Sequence, residues 1–136
     1  PLVALPEAKN ALTMTIFEDQ PPFTSNTGAA EFVKIYRERA TKAGLTDPSV
    51  ETQAAASYTA WQILEAGVVA TKSLDDKAIG TWLKANRVDT IQGKLRFNGV
   101  GNFGDDLMRV KQIQNGHWVV VWPKEMTSGS AKLLAP

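Results

Sequence analysis

The longest run of apolar residues at helical spacing extends from Thr52 to Ala70, TQAAASYTAWQILEAGVVA. Ala54, Tyr58, Trp61 and Val68 follow the i, i+4, i+7 repeat of one helix face, and Ala56, Ala60, Ile63 and Ala70 form a second apolar face beside it. The polar remainder, Gln53, Thr59, Gln62 and Glu65, is too sparse for a fully solvated side. The pattern therefore predicts an interior helix, packed on a sheet and covered on more than one side. Its small residues, Ala54, Ala55, Ala56, Ser57 and Ala60, would let another backbone approach closely.

On either side the pattern changes period. Leu12, Met14 and Ile16 alternate with Thr13 and Thr15, which predicts a strand running to Phe17. Pro21-Pro22 forbids a regular ladder, and Ser25-Asn26-Thr27-Gly28 supplies turn and N-cap residues for a helix over 29–43. In that helix Phe32, Tyr36 and Ala40 share a face, Lys34, Arg37, Glu38 and Lys42 lie outside, and Gly44 ends it. After the second helix, Ser73 is the expected cap of a third, with Asp76 at its third position and Ile79, Trp82 and Leu83 as its anchor. A short strand is expected between the turns at Gln92-Gly93 and Asn98-Gly99.

The strongest local signal is Asn115-Gly116 between two β-prone runs, Met108–Gln114 and His117–Trp122. A two-residue loop pairs Gln114 with His117, Ile113 with Trp118, Val110 with Val121 and Arg109 with Trp122, and would set Arg109 over an indole. Lys124 to Pro136 reads as a mobile or peripheral tail. Three helices with one early strand and a late hairpin are short of strands for a self-sufficient doubly wound domain. The expectation is an α/β segment that lacks its first half, from a chain that starts at Pro1 without Met.

Composition narrows the function more than it names it. The 136 residues have the size of one domain, and 15 Lys plus Arg against 14 Asp plus Glu leave a net charge of +1. No stretch gathers the basic residues into a stripe, so no nucleic-acid partner is expected. The absence of cysteine removes disulfides, thiolate nucleophiles and cysteine metal sites. No apolar run approaches a membrane span, and no signal peptide opens the chain.

Candidate chemistry is sparse. Gly99-Val-Gly101-Asn-Phe-Gly104 matches a phosphate-loop spacing, but Asp105-Asp106 and a hairpin follow where a helix should open, so it reads as a glycine-rich turn. His117 sits beside the hairpin turn with no Ser-plus-acid spacing to complete a triad. Asp75 and Asp76 read as capping groups, and no metal or cofactor is expected. The remaining candidate is Glu18-Asp19-Gln20, at the carboxyl end of the good strand, where open α/β sheets bind ligands. Phe17 and Phe23 would supply an apolar wall, and Tyr58 could reach a ligand from the long helix.

The order ALTMTIF, proline turn, EFVKIYRER, AAASYTAWQILEAGV, SLDDKAIGTWLKA, Thr90-Ile91-Gln92-Gly93-Lys94-Leu95-Arg96-Phe97 and QNGHWVVVWP resembles the C-terminal portion of type I periplasmic solute-binding proteins. The branched-chain amino-acid-binding proteins of ABC importers are nearest in style. The resemblance implies two three-layer α/β/α lobes joined by crossover strands, with residues 1–92 contributing a strand, a crossover and helices mainly of one lobe. Residues 93–123 would return to the other lobe, and 124–136 would be the tail. It further implies a non-enzymatic binder, periplasmic or tethered to the outer face of the cytoplasmic membrane. Such a binder captures a small carboxylate solute, such as a branched-chain or other amino acid, an amide or an aromatic acid. Its partners would be a membrane permease and the missing N-terminal half. The alternative is a small independent α/β enzyme or ligand-sensing domain. An exposed apolar patch and an unpaired sheet edge would favour the segment.

Overall fold

The computed structural model describes residues 2–99 and 107–135, so the end of the glycine-rich stretch and the Asp105-Asp106 pair lie outside the described residues. The fold is mixed α/β. In chain order it contains β1 (Leu12–Thr15), α1 (Ala29–Lys42), α2 (Thr52–Thr71), α3 (Asp76–Ala85), β2 (Val88–Thr90), β3 (Gly93–Leu95), β4 (Arg109–Gln114) and β5 (His117–Trp122). Short 3-10 turns occupy Leu2–Ala4, Pro6–Ala8, Phe23–Ser25 and Lys124–Met126. β1, β4 and β5 form an antiparallel sheet in the order β1-β4-β5, and β2 pairs with β3 in a separate antiparallel ribbon.

The ends of the helices follow local chemistry. α1 stops where Gly44 adopts φ +78, and the Leu45 amide reaches back to the Ala40 carbonyl at 3.1 Å, closing the last turn. α3 is capped by Asp75, whose carboxylate accepts from the Ala78 amide at 2.7 Å. Ser73, the expected cap, instead accepts from the Asp75 amide at 3.0 Å and so positions the cap. Asp outcompetes Ser here because a carboxylate also meets the positive end of the helix.

α2 is not the interior helix that its sequence pattern predicts. Only Ala55, Thr59 and Gly67 are buried, whereas Trp61 is 71% exposed, Val69 70% and Tyr58 45%. Small residues form the contact face because they allow the closest approach. A Cβ built on Gly67 would lie 2.8 Å from Ile79 Cγ2 of α3. Apolar residues surround the helix, so periodicity alone could not say which side would be covered.

The hairpin keeps the expected turn, with Asn115 at φ +52 and Gly116 at φ +76 as a type I′ loop requires. Gln114 pairs with His117 and Ile113 with Trp118. The same register carries Lys111 opposite Val120, and a bulge between Val110 and Lys111 then sets Val110 opposite Trp122, in place of the expected Val110–Val121 and Arg109–Trp122 pairs. Val120 becomes the fully buried residue of β5, and Trp122 is left 52% exposed.

The core gathers Phe17, Phe23, Ala29, Val33, Val50, Ala55, Ile91 and Val120, with Phe32 and Tyr36 packed against it. Phe17 meets Phe23 and Phe32 edge-on, at centroid distances of 6.1 and 6.2 Å. The ribbon turn is tied in through Asn26, which donates to the Ile91 carbonyl at 3.0 Å, and through Gln62, which accepts from the Ile91 amide at 3.0 Å.

The tail is bound to the sheet rather than loose. Buried Gln112 donates to the carbonyls of Asn10 (3.0 Å) and Leu134 (2.9 Å). Its oxygen accepts from the Leu134 amide (2.9 Å) and from Gln114 Nε2 (2.8 Å). The side-chain amide thus uses its full bonding capacity and treats Leu134 as a neighbouring strand would. Ser128 repeats the device on β5, its amide donating to the Val120 carbonyl and its hydroxyl accepting from the Val120 amide, both at 3.0 Å.

Two stability outcomes follow. Gln112→Ala removes a buried amide together with its bonds to the partly exposed Leu134 and Asn10 backbone and should cost about 1–3 kcal/mol, read by denaturant unfolding. Gly67→Ala should also destabilise, by about 1–2 kcal/mol. The clash with the stiff β-branched Ile79 outweighs the roughly 1 kcal/mol that helix propensity alone would return. A raised melting temperature for Gly67→Ala would show that α2 and α3 can separate at no cost.

Candidate functional site

Beyond β1 the chain turns inward. Thr15 Oγ1 donates to the Phe17 carbonyl at 2.8 Å and lies 3.3 Å from Thr52 Oγ1, which joins the end of the strand to the start of α2. With Phe17 drawn into the core, Glu18, Asp19 and Gln20 are left on the wall of a groove of about 760 Å³. Its facing wall is Asp47, Ser49 and the start of α2 from Glu51 to Gln53, and β4 and β5 close it with Lys111, His117, Trp118 and Val119.

The charges in this groove are largely paired with one another. Glu18 Oε1 accepts from the Lys111 ammonium at 2.7 Å, with both side chains under a fifth exposed, and the same ammonium stands 5.3 Å above the Trp118 ring. Arg109 was the residue expected over an indole. Lys111 takes that place because the register set by the two-residue loop puts it opposite Val120, diagonal to Trp118. Asp19 Oδ2 accepts from Arg37 Nη2 (2.6 Å) and Nε (3.2 Å), and from the Val50 amide (3.3 Å). This one carboxylate ties the crossover to α1 and to the entry into α2.

Two carboxylates remain unspent by cations. Asp47 accepts from the Ser49 hydroxyl and, at 2.9 Å, from the Ser49 amide, and these bonds hold its carboxyl below the usual carboxylate range. Glu51 is the N-cap of α2 but makes no side-chain cap bond. The groove presents carboxylates and a hydroxyl, groups able to hydrogen-bond a polar molecule. Among the described residues no set of three His, Cys, Asp or Glu side chains converges as metal ligands.

The expected site residues are thus distributed over three places. Glu18, Asp19 and Gln20 stand together on the groove wall. Phe17 and Phe23, 1% and 2% exposed, lie behind that wall inside the core rather than forming an open apolar surface. Tyr58 lies elsewhere, lining a cavity of about 590 Å³ beside α1 with Ile35, Tyr36 and Leu45, its ring 4.7 Å from that of Phe32. Lys111, Trp118 and the first turn of α2 were not anticipated from the sequence. The diagonal Lys111–Trp118 pair across the hairpin was the available signal, since the register of the two-residue loop already contains it.

No protein-family model matches the chain, and no curated protein matches it. A solved structure does: the leucine-binding protein LivK from Thermotoga maritima superposes with a TM-score of 0.64 at 20% identity. The match covers 85% of this chain and 31% of that one, so the chain spans about a third of the length of its structural neighbour. The likeness is one of fold: the chain has the architecture of part of a type I periplasmic-binding-protein chain. No helix among the described residues is long and apolar enough to cross a membrane.

Lys111→Met should cost about 1–3 kcal/mol, because it leaves the Glu18 carboxylate in a partly closed groove with no partner. A double-mutant cycle with Glu18→Gln checks the origin of the loss. The double variant should recover much of it, and strictly additive losses would mean that the pair is not coupled.

Proposed function

We propose that this chain is part of the substrate-binding component of an ABC importer. It captures a small carboxylate solute (a branched-chain or other amino acid, an amide or an aromatic acid) for delivery to a membrane permease. The observation that carries the reading is the groove at the end of β1, lined by Glu18, Asp19 and Gln20, on a fold that matches part of a leucine-binding protein. Phe17 and Phe23 support the groove wall from behind. In this reading residues 1–92 serve mainly one lobe, 93–123 return toward the other, and 124–136 form the tail. The protein works in the periplasm or tethered to the outer face of the cytoplasmic membrane, and it performs no chemistry.

The remaining parts of the lobes come from sequence outside these 136 residues. Two observations support that arrangement. Tyr58, Trp61, Leu64 and Val69 leave one side of α2 apolar and open, and β1 is an edge strand whose Leu12 and Met14 are 55% and 66% exposed. Tyr58 then belongs to the side of α2 that the rest of the lobe covers. An independent domain would have covered both surfaces.

Two measurements on the complete two-lobed protein test the proposal. A solute that binds the folded state should stabilise it by about 2.7 kcal/mol at a hundredfold excess over Kd, seen as a thermal upshift. A panel of aliphatic amino acids, amides and aromatic acids that gives no shift would count against transport. Trp61→Asp should lower the melting temperature strongly, because it places a charge in a covered face. An unchanged melt would mean that this side of α2 faces solvent.

A further inference from the structure

The same reactive dipeptide occurs twice in the chain, as Asn98-Gly99 and as Asn115-Gly116, and the fold places the two in different circumstances. An asparagine followed by glycine can close on itself. The following backbone nitrogen attacks the carboxamide carbon, a C–N bond forms, and the side-chain nitrogen leaves as ammonia with the proton that the backbone amide gives up. Water then opens the five-membered succinimide at either carbonyl, giving aspartate or isoaspartate. One water is consumed, one ammonia is released, and nothing is oxidised or reduced. Glycine favours the attack because no Cβ stands beside the nitrogen. Ring closure also requires the asparagine ψ to bring that nitrogen onto the same side of the Cα–C bond as Cβ.

Both dipeptides are exposed, so access to water does not separate them. Backbone geometry does. Gln114 pairs with His117 across the hairpin loop, and Asn115 and Gly116 hold φ +52 and +76. The first central residue of such a type I′ turn has a ψ of about +30°, which leaves the next nitrogen almost opposite Cβ and out of reach of the carboxamide carbon. The strands must part at the loop before Asn115 can react. Asn98 follows β3, and with Gly99 it belongs to no helix, strand or hydrogen-bonded turn. Its carboxamide makes no hydrogen bond among the described residues. We infer that Asn98 is a site of spontaneous deamidation in the folded protein, to isoaspartate and aspartate, and that the hairpin shields Asn115 from the same reaction. Conversion lowers the formal net charge from +1 to zero and, in isoaspartate, adds one backbone carbon to the connection between β3 and β4. No ladder passes through Asn98, so the fold accommodates the added atom there, whereas at Asn115 it would break the two-residue loop. The reaction needs no ligand and is independent of the solute-binding reading.

The test is peptide mapping of the complete protein after incubation at mildly alkaline pH, with aspartate and isoaspartate counted at each of the two positions. In the folded protein Asn98 should convert about tenfold faster than Asn115 or more, the protection expected where paired strands must open first. In urea the unfolded protein should convert the two at rates within about threefold of each other, because the dipeptide is then free at both places. Gly99→Ala should slow conversion of Asn98 about tenfold by setting a Cβ beside the attacking nitrogen, and leave Asn115 unchanged. No conversion at Asn98 in the folded protein, or an unaltered rate in Gly99→Ala, overturns the site. Equal rates in the folded protein, faster conversion of Asn115, or a difference that persists in urea overturns the shielding by the hairpin.

Discussion

The burial of Phe17 is the constraint on which the other arrangements depend. It stands just past β1, and its ring is met by the 3-10 turn through Phe23, by α1 through Phe32, and by a core to which α2, the ribbon turn and β5 contribute Ala55, Ile91 and Val120. Elements distant in sequence therefore share one cluster of buried side chains, and burying the larger ones contributes about 1.5–3 kcal/mol each. The same inward turn leaves the three polar residues that follow Phe17 on the surface. The core and the groove are thus two sides of one change in chain direction.

That geometry explains why the groove holds its shape with so many charges in it. Asp19 reaches α1 through Arg37 and the entry to α2 through the Val50 amide, and Glu18 reaches β4 through Lys111. Each bond joins two segments that the core has already brought close, so each closes little additional chain entropy. On the opposite side of the sheet Gln112 performs a similar task with a neutral amide, joining the segment before β1 to the tail. The sheet is small, and both of these links start from β4, its central strand.

α2 separates the settled from the open parts of the molecule. Its alanine and glycine face lies against α3 and the core, where close backbone approach replaces the contribution of large side chains. Its large residues face away. The helix thus turns its smallest side chains inward and its tryptophan, 71% exposed, outward.

Local signals in the sequence were sufficient for elements whose chemistry is complete within a few residues. The Asn115-Gly116 turn needs two residues able to adopt positive φ, Gly44 ends a helix for the same reason, and the three amphipathic runs became the three helices. The family resemblance read from their order agrees with the fold that the comparison shows, and the Glu18-Asp19-Gln20 stretch does line a groove. What only the tertiary structure decided was orientation and register. Which side of α2 is covered depended on how closely α3 could approach Gly67. The partner of Trp122 depended on a one-residue bulge, and the order of the tail depended on a glutamine amide 22 residues away in sequence. None of these is encoded in a local period, because each is settled by contact between segments whose distance apart the sequence pattern does not contain.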